Sequence, residues 1–200
     1  MKKFIGVLLI LGFCSVVLAE EIKIGDITAK RYNDVLKQFY STELSVRYDA
    51  ETKDVLIYID DILCTPVIVL SAEKRLNFIQ GLNKYFEWND KAVKKGVKIE
   101  KEIARFETSF YFKYGDDWYK SMVDVPIILT FFSRSAENHE LVIEIGKITS
   151  SSNEYITCSP SQQYFEAKQV KALKKCLLET TIDKKIAENK KKKSIEDEFK

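Results

Sequence analysis

The sequence predicts an α+β fold: a two-layer single domain in which an antiparallel sheet is packed by a long central helix and a C-terminal helix, in an order near ββ(β)αβββα. Three observations lead there. Ser71–Lys95 places apolar residues at helical spacing. After Gly96 the apolar residues alternate with a period of two. The strands are also grouped rather than interleaved with helices and glycine-rich turns, which argues against a doubly wound nucleotide-binding fold.

Met1–Ala19, MKKFIGVLLILGFCSVVLA, has the layout of a cleaved export signal: Lys2 and Lys3, an apolar run, then small or β-branched residues before Glu20. The run is shorter than the ~20 residues a spanning helix needs. Phe13 before Cys14, and the apolar residues after it, do not suit a lipoprotein signal. Residues 20–182 are then the globular domain and 183–200 a charged helical extension or frayed tail, with no transmembrane segment in the mature chain. The expected location is periplasmic or extracellular. Losing Lys2 and Lys3 takes the basic count from 32 to 30 against 30 acids, so the remainder is formally neutral and has no field to draw nucleic acid.

In chain order, Ile22, Ile24 and Ile27 suggest a short strand. Tyr32, Val35, Leu36 and Phe39 have the spacing of a short helix over 28–40. Leu44–Tyr48 and Asp54–Ile59 flank a polar break and predict a hairpin. Val67–Leu70 leads into the central helix, for which Ser71 is a good N-cap. On that helix Leu76, Ile79, Leu82, Phe86 and Val93 form the apolar side, widened by Phe78, Tyr85 and Ala92. Residues 104–114 alternate as one strand, with Tyr111 pointing away from Phe106, Phe110 and Phe112. Val125–Ser133 is apolar on both sides and suits a central strand. Leu141, Ile143 and Ile145 give the next, and 161–181 is expected to be the last helix, with Phe165, Val170, Leu173, Cys176 and Leu177 on its apolar face.

Cys64, Cys158 and Cys176 remain after the leader, in a compartment that favours disulfides. A helix starting at Ser161 would carry Cys176 about 22 Å away along its axis, too far for Cys158 to bridge. Cys64–Cys158 is the preferred pair and Cys176 the alternative partner, otherwise a buried thiol. The cysteine spacing suits neither a metal nor a redox motif, and no cofactor is implied.

Chemistry is sparse. His139 is the sole histidine, beside a turn, and no nucleophile elbow accompanies it. A surface turn residue is the expectation; the competing one is a hydrolase using His139 with Glu140, Asp116 or Asp117. Asp60-Asp61 and Asp116-Asp117 are adjacent pairs whose members face opposite ways on a strand, so turn solvation is expected. Trp88, Trp118, Tyr119 and Tyr111 look exposed and are the candidate ligand-binding residues, since such rings give rigid contact area with a polar handle. The functional expectation is a non-catalytic exported domain that binds a protein, peptide or envelope component. Carriage of an apolar ligand between helix and sheet is a further option.

Overall fold

A computed structural model describes residues 21–33 and 36–199. The expected leader, 1–19, and Val35 lie outside the described residues. The chain opens with a long hairpin, β1 (Glu21–Asn33) and β2 (Gln38–Asp49), where a helix over 28–40 was expected. Thr28–Asn33 pair residue by residue with Gln38–Glu43, so cross-strand pairing overrides the helical spacing; a bulge lies earlier, between Lys23 and Gly25. It shifts the alternation, so Ile22 and Ile24 face inward together with Ile27 and Ala29, which breaks the strict period of two.

Next come β3 (Val55–Ile59), β4 (Thr65–Leu70), α1 (Ala72–Lys95), β5 (Glu100–Thr108), β6 (Phe110–Tyr114), β7 (Asp117–Lys120), β8 (Val125–Ser133) and β9 (His139–Ile145). The short pair β10 (Ile148–Thr149) and β11 (Thr157–Cys158) precedes β12 (Gln163–Glu166), α2 (Ala167–Leu177) and α3 (Glu179–Glu198). The expected helix over 161–181 is therefore divided. Residues 163–166, Phe165 included, pair as a strand with both β9 and β1. Leu178 has an extended backbone (ψ 135°) and separates α2 from α3. The charged tail takes the helical alternative.

Ten strands form one antiparallel sheet in the spatial order β5-β8-β9-β12-β1-β2-β3-β4-β6-β7, an α+β architecture with the helices as its second layer. β5 and β6 are separated only by Ser109, yet β5 is one border of the sheet and β6 lies beside the other. The sheet must therefore curl until its borders meet. At that seam the Val69 amide donates to the Ser109 carbonyl (3.1 Å), and the Thr108 hydroxyl donates to the Val69 carbonyl. This kink divides the single strand expected over 104–114.

α1 fills the concave side, packing on β5, β8, β4 and α2. Ser71 caps it by accepting from the Lys74 amide (3.3 Å), worth about 1 kcal/mol. Gly96, in the left-handed region (φ 60°), ends it. Its buried arc centres on Phe78, Leu82, Tyr85 and Ala92, while Leu76 and Val93, assigned to the apolar side above, are exposed. Gly81 faces the sheet closely: a Cβ there would stand 2.4 Å from Leu129 Cδ1 and 3.0 Å from the Ala104 Cβ, so a larger residue would push helix and sheet apart. With Phe78, Leu82 and Tyr85 fully buried, the concave face is filled by side chains.

Candidate functional site

The β6–β7 hairpin ends the sheet. Its register pairs Tyr111 with Lys120, Phe112 with Tyr119 and Lys113 with Trp118. Strand alternation then decides each ring's fate. Phe112 and Tyr119 point inward and pack together, centroids 5.5 Å apart. Tyr111 and Trp118 point outward, 40% and 50% exposed. Trp118 stands edge-on to Tyr58 at 6.1 Å. The Tyr58 hydroxyl donates to Glu21 (2.5 Å), and Arg47 lies over its ring (4.5 Å) while bonding the same carboxylate (2.9 Å). Burial, and then the Glu21 contact, hold the Tyr58 phenol well above its ordinary pKa. Trp118 is thus presented on a braced support. Trp88 lies elsewhere, half-buried on α1 against Phe131 (6.3 Å) and covered by the Lys101 ammonium (5.1 Å). The four candidate rings do not form one site: Tyr111 and Trp118 share an outer face, Tyr119 lies beneath it and Trp88 is remote.

Around that hairpin several loops gather at one end of the sheet. Thr65 pairs with Lys113, which sets the 60–64 loop beside the hairpin tip. The Cys64–Cys158 disulfide, Cα atoms 6.0 Å apart, ties that loop to β11. Cys176 stays a free, half-buried thiol. Although the last helix starts later than expected, the preferred pairing stands. Asp61 is a second tie. Its side chain, 4% exposed, accepts from the Ile62 amide (2.7 Å) and from the Ser161 amide and hydroxyl (2.6 and 3.0 Å), with Arg31 at 3.7 Å. Turn solvation does not describe it; Asp61 is the hub of the loop. The Met122 amide donates to the Thr149 carbonyl (2.8 Å) and that of Ser151 to Lys120 (2.9 Å), which brings 120–122 and 149–151 together. These loops expose Ile62 (60%), Leu63 (74%), Val123 (66%) and Tyr155 (87%), besides Trp118.

His139 is not a surface turn residue. It begins β9 with its ring turned inward, 4% exposed, because its pairing partner across the sheet is the inward-facing Ser133. Nδ1 lies 2.8 Å from the Ser133 hydroxyl, the ring packs on Phe131 (5.3 Å), and its carbonyl accepts from the Tyr85 hydroxyl (2.9 Å). Nε2 is buried and has no hydrogen-bond partner. Glu140, the next residue, faces the other way. It is 1% exposed and bonded to Arg134 (2.5 Å), whose guanidinium lies over Phe39 (4.2 Å). Asp116 and Asp117 belong to the hairpin tip at the far end of the sheet. The serine and histidine meet, but the three carboxylates proposed to orient the imidazole do not join them. A surface depression of about 480 Å³ is lined by Lys98, Ile99, Glu100, Phe132, Ser133 and Arg134.

Sequence reasoning missed Ser133 as the histidine's neighbour, Asp61 as a hub, Tyr58 as a brace, and the Ile62-Leu63 pair. Only Ile62-Leu63 carried a signal, two apolar residues stranded in a polar turn. The rest depends on strand register. No protein-family model, curated protein or solved structure matches this chain.

Proposed function

We propose that this is an exported, non-catalytic domain that binds a protein, peptide or envelope component through the outer aromatic face of its end hairpin. The observation that carries this reading is the exposure of Trp118, half-open to solvent yet braced by the Tyr58–Glu21–Arg47 cluster. A large ring held in one orientation loses little freedom on contact, which is how hot-spot residues contribute. The Cys64–Cys158 bridge suits export without establishing it. Residues 20–182 are proposed as the globular unit.

The test places a photo-crosslinking amino acid at position 118 of the chain from Glu20 onward and exposes it to envelope fractions. A discrete adduct, suppressed by excess unlabelled protein but not by its Tyr111→Asp variant, is expected. If position 118 yields no such adduct with protein, peptide or polymer, the reading fails. The Ser133–His139 contact favours hydrolysis as a second reading. It requires labelling of Ser133 by a serine-directed phosphonate, and turnover that disappears in His139→Gln. An unlabelled, inactive wild-type protein ends it.

A further inference from the structure

A strand position stands open beside β5. β5 is a border of the sheet and pairs only with β8, from Glu100 to Thr108. β4 pairs with β6 from Thr65–Lys113 to Ile68–Phe110, and the Val69 amide carries that register on to the Ser109 carbonyl (3.1 Å). Continued, it would set Ser71 against Glu107. Instead Ser71 caps α1, and the line of β4 stops. Backbone groups along an antiparallel strand alternate between its two edges. Because the Ser109 carbonyl faces β4, the N–H and C=O of Glu107 and Arg105 point the same way, away from β8. From the other end, the Ile99 carbonyl accepts from Ser133 of β8 (3.0 Å), so Glu100 and Glu102 also turn theirs outward. The bulge between Glu102 and Ala104 reconciles the two counts. Among the described residues, none of these four has a backbone partner on the open side.

The space beside that edge is a groove of about 380 Å³ between β5 and α1. Asn77, Gln80 and Lys84 line it from the helix, and Ile103, Arg105 and Phe106 from the strand. Its floor is apolar and its helical wall offers two amides and an ammonium. Arg105 is taken by Glu102 (2.8 Å), whereas Lys84 is exposed and has no carboxylate within salt-bridge distance among the described residues. Glu107, exposed on the outer side of β5, likewise lacks a cation there. The open groups are thus backbone donors and acceptors at strand spacing, flanked by one unpaired charge of each sign. Extended backbone is the ligand that matches them.

We propose that β5 takes up an extended peptide as an added strand, laid in line with β4 in the slot beside α1, with acidic side chains toward Lys84 and basic ones toward Glu107. With α1 along one side, the slot suits a single strand, and the bulge and charges of β5 restrict it to a complementary one. Neither Trp118 nor Tyr111 takes part, so the site is separate from the aromatic face.

The test pans a phage-displayed library of random peptides against the chain from Glu20 to Lys200, then titrates the enriched peptides in synthetic form. The Arg105 and Glu107 amides should exchange rapidly in the free protein and slow when peptide binds. Arg105→Pro removes an N–H that β8 does not use, so the ladder should persist. Peptide affinity should nevertheless fall about tenfold or more, from the lost bond and the ring in its place. Lys84→Glu alters an exposed side chain, and panning against it should select basic residues where the wild type selects acidic ones. Should Arg105→Pro not fold, the exchange data and the Lys84→Glu selection decide. No enriched peptide, unchanged affinity for a folded Arg105→Pro chain, an unaltered Lys84→Glu selection, or slowed amides elsewhere overturns the proposal. Peptides whose binding is lost in Trp118→Ser but kept in Arg105→Pro also overturn it, and support the aromatic face instead. Slowing of the same amides on concentrating the protein alone makes a second copy the occupant and overturns it too.

Discussion

Removing the Cys64–Cys158 bridge should be the most damaging conservative change in this protein. The two residues are 94 positions apart, so the bridge closes about half of the chain into one loop. For a loop of that length the chain-entropy estimate is about 4.7 kcal/mol, and measured values for native bridges run at about 2–5 kcal/mol. Both cysteines are buried, at 6% and 1% exposure, so replacement by serine adds the desolvation of two hydroxyls. We expect Cys64→Ser/Cys158→Ser to lose about 2–5 kcal/mol in urea unfolding. The m-value should rise, because the unlinked denatured chain expands and exposes more surface. Alkylation of the unfolded, unreduced wild-type chain from Glu20 onward should modify Cys176 alone. A loss below about 1 kcal/mol, or a Cys176-containing bridge found by mass spectrometry, would refute the reasoning.

Three further outcomes follow from the same geometry. Asp61→Asn should cost about 1–3 kcal/mol, since three donors and Arg31 lose their anion, and should speed amide exchange at Ile62 and Ser161 without unfolding the sheet. Burial pushes the Tyr85 phenol well above its ordinary range, so the folded state holds a proton that the unfolded state releases first. Stability from this group is complete below pH ~10 and is lost as pH rises past it. Tyr85→Phe should cost about 1 kcal/mol at neutral pH, from the lost bond to the His139 carbonyl, and should shallow the alkaline decline measured by denaturant titration. Cys176 should react slowly with a thiol reagent at pH 8 and keep accelerating beyond the usual thiol range, because burial raises its pKa more than Lys175 lowers it; denaturant should abolish the difference.

The parts legible in the sequence are those set by one side chain's immediate neighbours. Ser71, the apolar positions of 72–95 and Gly96 specify α1 to within a residue, because cap, period and stop agree. Val125–Ser133 could be assigned as an inner strand, since both its faces are apolar. Gln163–Glu166 could not. Four residues running into a helix look helical, and only the vacancy between β9 and β1 makes them a strand. Residues 28–33 of β1 likewise have helical spacing, and only their pairing with 38–43 makes them strand. At the site, the exposure of Tyr111 follows from alternation alone, whereas the separation of Trp88 from Trp118 depends on how far the sheet curls. His139 was misjudged because a turn precedes it, and its burial depends on pairing with Ser133 across β8 and β9.

The position of β12 has a consequence for biogenesis. This strand lies between β9 and β1 and is the last sheet element to leave the ribosome, after 162 residues have preceded it. Until it arrives, the amino-terminal hairpin and the β8–β9 pair have no lateral connection across that gap, and both present unsatisfied amides. Completion of the sheet therefore waits on a late, long-range insertion. Chains from Glu20 that end before Gln163 should remain protease-sensitive throughout, and those extended past Leu177 should acquire resistance in one step.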